Sequence, residues 1–205
     1  FGEKRIFDTP ISETAIVGLS IGSSMLGLRP VVEISYIDFL GTCFDQVMNQ
    51  AAKLRYMYGG MVSLPLVIRT QCGAGLGNGA QHSQSLEALL AHIPGIRVVM
   101  PSNAYDAKGL LLRAIRDNNP VVFIEHKALY KTKCEVPEEP YECDYTCSIK
   151  REGNDVSIIT YSAMVNQALK AADKLAEEGI SAEVVDIRTI EPLDEDSIIR
   201  SVEKT

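Results

Sequence analysis

Positive charge is scarce in this chain. Twenty lysines and arginines stand against 27 aspartates and glutamates, for a formal net charge of -7. Without a basic stripe to neutralise phosphates, nucleic-acid binding is excluded as a main task. Long apolar runs are missing too. The longest, Ala15 to Leu28, is broken by Gly18, Gly22 and several serines and is too short to cross a bilayer. The first residues show no signal-peptide pattern. The five cysteines, Cys43, Cys72, Cys134, Cys143 and Cys147, are odd in number and irregular in spacing. They form no disulfide framework and point to a reducing cytoplasm. The last three match no common zinc spacing, and no histidine lies beyond them. Neither an HExxH motif nor a CxxC pair is present. The chain opens on Phe1 rather than methionine and stops at Thr205 inside a helical pattern, so both ends are expected to be cut.

What remains is ordinary in amount, 46% hydrophobic and 23% charged residues, and informative in arrangement. The pattern predicts strands at Val31–Ile34, Leu64–Ile68, Arg97–Met100, Val121–Ile124, Val156–Tyr161 and Ala182–Ile187. Helical spacing is expected over residues 15–28, 39–58, 83–92, 106–117, 165–178 and 194–204. Continuous apolar strands alternating with helices predict an α/β fold whose parallel sheet is covered on both faces. Between Lys127 and Asp155 the character changes: Pro137, Pro140, clustered glutamates and cysteines make a long polar stretch, which is read as a linker. The expected organisation is therefore a domain over residues 1–126, a linker over 127–154 and the start of a second α/β domain over 155–205.

Three places could carry chemistry. The first is Asp8-Thr9-Pro10-Ile11-Ser12-Glu13, which sets one carboxylate at the mouth of an apolar helix. An acidic residue there also complements the helix dipole, and Ser12 could cap the turn, so a purely structural role competes. The small residues Gly18, Ser20, Gly22, Ser23 and Ser24 would let something pack closely against this helix. The second place is the glycine-rich loop Gly73 to Gly79. Gly75, Gly77 and Ala80 fit only a loose dinucleotide fingerprint, without the acidic residue that should follow, so a closely packed loop is the better reading. The third is His82, set among Gln81, Ser83 and Gln84 where that loop meets a helix. Strand-to-helix loops of this kind form the ligand crevice of a parallel sheet. His92 and His126 are read as structural.

Taken together, Asp8 to Glu13, Gly27-Leu28-Arg29-Pro30, Asp45-Gln46, Ala51-Ala52-Lys53, Gln81 to Gln84, Tyr105 to Leu111 and Ala114 to Asp117 resemble one family over nearly the whole chain. It is the β subunit of thiamine-diphosphate-dependent 2-oxo acid dehydrogenases, in the transketolase-like group. Arg55-Tyr56-Met57, Val67 to Thr70, Val98 to Ser102 and Glu125-His126-Lys127 are most similar to bacterial acetoin and pyruvate dehydrogenase β chains. Branched-chain 2-oxo acid dehydrogenases are an alternative, as is a non-catalytic module that stabilises an α partner. The resemblance implies a pyrimidine-binding domain lacking its first strand, followed by part of a transketolase C-terminal domain.

It also implies roles. Glu13 would hydrogen-bond the pyrimidine ring nitrogen of thiamine diphosphate. Phe39 would pack on the pyrimidine face, although plain helix core would explain it equally. His82 would assist acyl transfer to a lipoyl group. A potassium ion would sit near Leu66, Ala114, Ile115, Asp117 and Asn119. The chain lacks a Gly-Asp-Gly turn followed by a downstream asparagine. The resemblance accounts for that by assigning magnesium and the diphosphate to an α subunit. A second β subunit and a lipoyl-bearing acyltransferase complete the implied partners, with neither nucleic acid nor membrane among them.

Overall fold

Short runs of valine and isoleucine, each set off by a glycine- or proline-bearing break, give the architecture. In the computed structural model, which describes residues 1–75 and 77–205, the chain begins with α1 (Glu13–Met25), β1 (Val31–Ile34), a 3-10 helix (Ile37–Cys43) and a π-helical stretch (Gln46–Ala51). Next come α2 (Leu54–Met57), β2 (Val67–Cys72), α3 (Glu87–Ala91), β3 (Arg97–Val99), α4 (Ala104–Arg116), β4 (Val121–His126) and a 3-10 turn (Lys127–Leu129). After a connection follow β5 (Ser148–Arg151), β6 (Val156–Thr160), α5 (Met164–Glu177), β7 (Ala182–Asp186), β8 (Thr189–Glu191) and α6 (Glu195–Lys204). Leu76, part of the expected glycine loop, lies outside the described residues. Among the described residues no helix is long and apolar enough to cross a membrane.

Two sheets result. The first has strand order β1-β2-β4-β3-β8, the second β5-β7-β6. In the first, β1, β2, β4 and β3 are parallel and β8 is antiparallel to β3. The expected α/β fold with a parallel sheet covered on both faces is observed. Alternation along β4 shows why its residues are continuously apolar. Val122 and Ile124 face a core with Val17, Ile37, Val47, Leu64, Ile68 and Leu90. Val121 and Phe123 face the other side, with Leu110 and Ala114 of α4.

The structure departs from the sequence pattern in four places. The helix expected over 39–58 is a succession of 3-10, π and α turns. Helical spacing reports which face is buried, not which turn type is used. The helix expected from Ser83 begins only at Glu87. Gln84 spends its backbone elsewhere, its C=O accepting from Gly73 N–H at 2.9 Å and its N–H donating to Asp38 Oδ1 at 3.3 Å. Ser12 precedes α1, but its side chain makes no capping hydrogen bond. The polar stretch 127–154 is not free chain. Within it β5 pairs with β7, Tyr141 stacks on Tyr105 at 4.6 Å, and Lys108 Nζ donates to the carbonyls of Glu138 and Glu139. Its prolines, glutamates and cysteines mask a strap laid along α4.

The two sheets meet on a buried carboxylate. Asp106, 1% exposed on α4, accepts from Arg188 Nη1 at 3.0 Å and pairs with Lys150 of β5. Arg188 also donates to the Thr146 and Asp144 carbonyls at 2.9 and 3.2 Å. Asp186 lies 3.7 Å from Lys150 and accepts from Ser102 Oγ at 2.5 Å. Burial pushes the Asp106 pKa up, but Lys150 and then Arg188 overcome it and hold the carboxyl below its ordinary value. At Asp186 burial wins over Ser102 and Lys150, and the pKa is raised.

The signs of the two shifts are opposite. The stability that comes from Asp106 is complete above its unfolded pKa, about 4, and is lost as pH falls through its lower folded pKa. Ionised Asp186 works against stability at neutral pH. Asp106→Asn is expected to lower the unfolding free energy at pH 7 by about 3 kcal/mol in urea titrations, because it leaves buried cations short of a partner. The variant should also lose part of the acid-side decline in stability. An unchanged urea midpoint would contradict the role given to Asp106.

Candidate functional site

The carboxyl ends of three adjacent parallel strands lie side by side, the place where such a sheet presents its ligand-binding loops. β1 leads into Tyr36 and the 3-10 helix bearing Phe39. β2 leads into the loop that bears His82, and β4 ends beside Lys127. Glu13 approaches from the start of α1. Thr14 Oγ1 donates to the Thr42 carbonyl at 2.8 Å, and Thr42 Oγ1 donates to that of Phe39 at 2.8 Å, so the beginning of α1 is tied to the Phe39 helix. Glu13 is half-buried. Burial and then the nearby Glu13 charge push the Cys43 thiol up to about 11. Glu13 itself makes no ion pair and accepts no hydrogen bond among the described residues, which leaves its carboxylate available.

His82 is fixed by rings rather than by carboxylates. Its imidazole meets Tyr36 and Phe39 edge-on, each at 5.4 Å between centroids, with interplanar angles of 69° and 79°. Its backbone carbonyl accepts from Lys127 Nζ, and that ammonium lies 4.5 Å from the Tyr36 ring centroid. Gly73 closes the loop through its N–H to Gln84 O and has φ 76°. A Cβ there would strike the His126 ring, so only glycine fits this neck. His126 is half-buried. Burial lowers its pKa, Glu87 pulls it back and Lys127 lowers it further, while Nδ1 accepts from Ala128 N–H at 3.2 Å. Asp38 Oδ1 accepts from Gln84 Nε2 at 2.9 Å, and Asp38 Oδ2 and Glu87 Oε2 are buried without a partner among the described residues.

A family model for the transketolase pyrimidine binding domain matches residues 1–133, and one for the transketolase C-terminal domain matches 146–205. The chain belongs to the transketolase pyrimidine-binding family. Over 202 residues, 98% of this chain and 60% of the relative, it is 56% identical to the acetoin:2,6-dichlorophenolindophenol oxidoreductase subunit beta of Cupriavidus necator. It is 54% identical to the pyruvate dehydrogenase E1 component subunit beta of Bacillus subtilis, over all of this chain and 64% of that one. The chain thus spans a little over three-fifths of these curated relatives. A solved split-gene transketolase, described as an inactive beta4 tetramer, superposes with a TM-score of 0.81 at 27% identity, covering 98% of this chain and 63% of its own.

A transketolase-type pyrimidine-binding domain implies thiamine diphosphate. The residues fit the pyrimidine half of that cofactor: a carboxylate at Glu13 without a partner among the described residues, on a helix tied to the one that bears Phe39, and aromatic rings at Phe39 and Tyr36 against His82. Sequence reasoning selected Glu13, Phe39 and His82, and the structure brings Phe39 and His82 into contact. It missed Tyr36, Asp38 and Lys127. Their only signal was position, just past the ends of apolar strands.

The potassium cluster is the exception. Arg29 Nη1 donates to the carbonyls of Ile115 and Asp117 at 3.0 and 2.9 Å, and Arg29 Nη2 donates to Asn118 Oδ1 at 2.6 Å. The Leu66 and Ala114 carbonyls accept from the backbone N–H groups of Val121 and Asp117. Asn119 Nδ2 donates to Asp117 Oδ1 at 2.9 Å, and Arg97 pairs with Asp117 at 2.8 Å. The Arg29 guanidinium already brings a positive charge to these carbonyls, which disfavours a free potassium ion beside it. Replacing potassium chloride with sodium chloride at equal ionic strength should leave the melting temperature unchanged. Arg29→Gln should lower it by a few degrees, the scale of a lost charge-assisted contact of about 1–2 kcal/mol. A potassium-specific rise in the unsubstituted protein would reverse this assignment.

Proposed function

We propose that this chain forms the pyrimidine-binding half of the active site of a thiamine-diphosphate-dependent pyruvate or acetoin dehydrogenase, as its β subunit. The observation that carries the reading is Glu13: a carboxylate at the entrance of α1, a helix tied to the Phe39 helix, with no partner among the described residues. Identities of 56% and 54% to named β subunits support it. When bound, thiamine diphosphate supplies the electron sink for cleavage of the substrate C–C bond. Glu13 would share a proton with the pyrimidine ring nitrogen, donating it as the carboxylic acid and accepting it back as the carboxylate. Phe39 and Tyr36 give the ring an apolar wall. His82, held edge-on to both, handles the proton during acyl transfer to the lipoyl group.

The remaining half is assigned to other chains. No Gly-Asp-Gly turn is present in this sequence, so magnesium and the diphosphate go to an α subunit. Apolar side chains stand ready for coverage, with Leu19 73%, Leu26 85%, Tyr56 89% and Met61 82% exposed. Surfaces of this kind mark protein contacts, here with the α subunit and a second β subunit. A lipoyl-bearing acyltransferase receives the product. Five unpaired cysteines suit the cytoplasm.

The test is co-expression of the full-length β chain with its α partner, following decarboxylation with an artificial electron acceptor across pyruvate, acetoin and branched 2-oxo acids. The β chain alone should be inactive. Glu13→Gln in the complex should lose roughly 100-fold or more in turnover, the usual scale for a positioned proton-transfer group. Near-normal turnover would remove Glu13 from the mechanism. His82→Ala should cost more with a lipoyl acceptor than with the artificial one, and equal losses would deny it the transfer step.

A further inference from the structure

We propose that Lys127 is a positioning residue of this site, holding the loop that carries His82 in its working place. The proposal rests on the reading of His82 given above and deepens it. Lys127 is 4% exposed, yet its ammonium joins no ion pair among the described residues. A buried charge without a carboxylate is costly and must be met by dipoles or π-faces. Here it is met twice, and both times the recipient constrains His82. The ammonium donates to the His82 backbone carbonyl and lies over the Tyr36 ring, whose edge packs on the His82 imidazole. One cation thus fixes the main chain of His82 directly and its side chain through Tyr36.

The neighbours of Lys127 do related work. His126 packs under Gly73, at the neck of the loop, and the Ala128 backbone lies where a Cβ on Gly75 would be crowded at 3.1 Å. The tripeptide His126-Lys127-Ala128, at the carboxyl end of β4, is the platform on which the described part of loop 73–84 rests. The opposite side of the loop is held by Gln84 on Asp38. Of these contacts only the Lys127 ammonium reaches His82. Leucine or methionine of similar length would fill the buried space without making either contact, so what the charge adds there is its hold on His82 and Tyr36.

The experiment uses the assembled complex with full-length β chain and compares Lys127→Met, His82→Ala and the double variant. Amide hydrogen exchange over residues 77–84 is measured alongside turnover with artificial and lipoyl acceptors. Lys127→Met is expected to speed exchange in that segment about tenfold, as loss of a local tether does. It should lower transfer to the lipoyl acceptor by roughly 100-fold, the scale of an ångström-level misplacement. Turnover with the artificial acceptor should fall much less. The double variant should transfer no more slowly than His82→Ala alone. Lys127→Arg, which keeps charge and donors, should recover part of the rate. Should Lys127→Met fail to assemble, Lys127→Gln takes its place.

Unchanged exchange at 77–84 would overturn the proposal, as would losses that multiply in the double variant, since Lys127 would then act apart from His82. If His82→Ala transfers normally while Lys127→Met still loosens the loop, the role of His82 fails and the tethering by Lys127 stands.

Discussion

Asp106 accepts from Arg188 and Lys150 at a point where the elements packed on the two sheets share a buried charge. Such a cluster gives little net stability compared with apolar packing, because desolvation offsets most of the attraction. Its value lies in geometry. It fixes β5 and the turn after β7 against α4, and Arg188 adopts φ 58° there, a left-handed conformation that a side chain tolerates only when its surroundings dictate it. The chain leaving that turn becomes β8 and lies along β3. The connection 137–145 is drawn over α4 on the same side, where Gly109 admits the close approach of Cys143 and Tyr141. The second layer also reaches back towards the site, since Tyr161 O–H donates to Glu87 Oε1 at 3.1 Å.

The parallel sheet and most of its helices were legible in the sequence because a strand covered on both faces must be apolar throughout, as β4 is. What could not be read was turn type. Residues 37–58 keep helical spacing while passing through 3-10, π and α turns, and the burial pattern hardly distinguishes them. The strand β8 escaped notice because Thr189-Ile190-Glu191 holds one apolar residue between polar ones just before Pro192, whereas β3, equally short, stands out as an apolar run. Within the site, Glu13 and His82 were visible as polar residues in unusual company, and motif resemblance supplied their roles. Lys127 was hidden by its neighbours. A lysine at the end of an apolar strand reads as a solvated terminus, and only the fold reveals that the loop after β2 lies across it. Arg29 shows the converse. It belonged to a motif that carried the resemblance, yet its grip on carbonyls 86 and 88 positions downstream follows from tertiary structure alone.

The site has the composition of one side of a larger one. Carboxylate, aromatic wall and imidazole are gathered at the strand ends, while the apolar surface of α1 and the residues around Met57 face outward. Under the proposed function, division of a cofactor between subunits would make assembly a condition of chemistry: the carboxylate of Glu13 and the phosphate-binding residues would come together only when the right chains have met.

The strand β8 has a consequence for biosynthesis. The first sheet is laid down by residues 31–126, yet its β3 edge is closed only by Thr189–Glu191. On the ribosome that edge, with its unpaired backbone groups, stays open while some sixty further residues are made and while β5, β6 and β7 find their own order. An open edge is a template for the wrong strand. The nascent chain is therefore most exposed to mispairing in this interval, and a cell with many copies in synthesis at once would need to shield it there rather than after release.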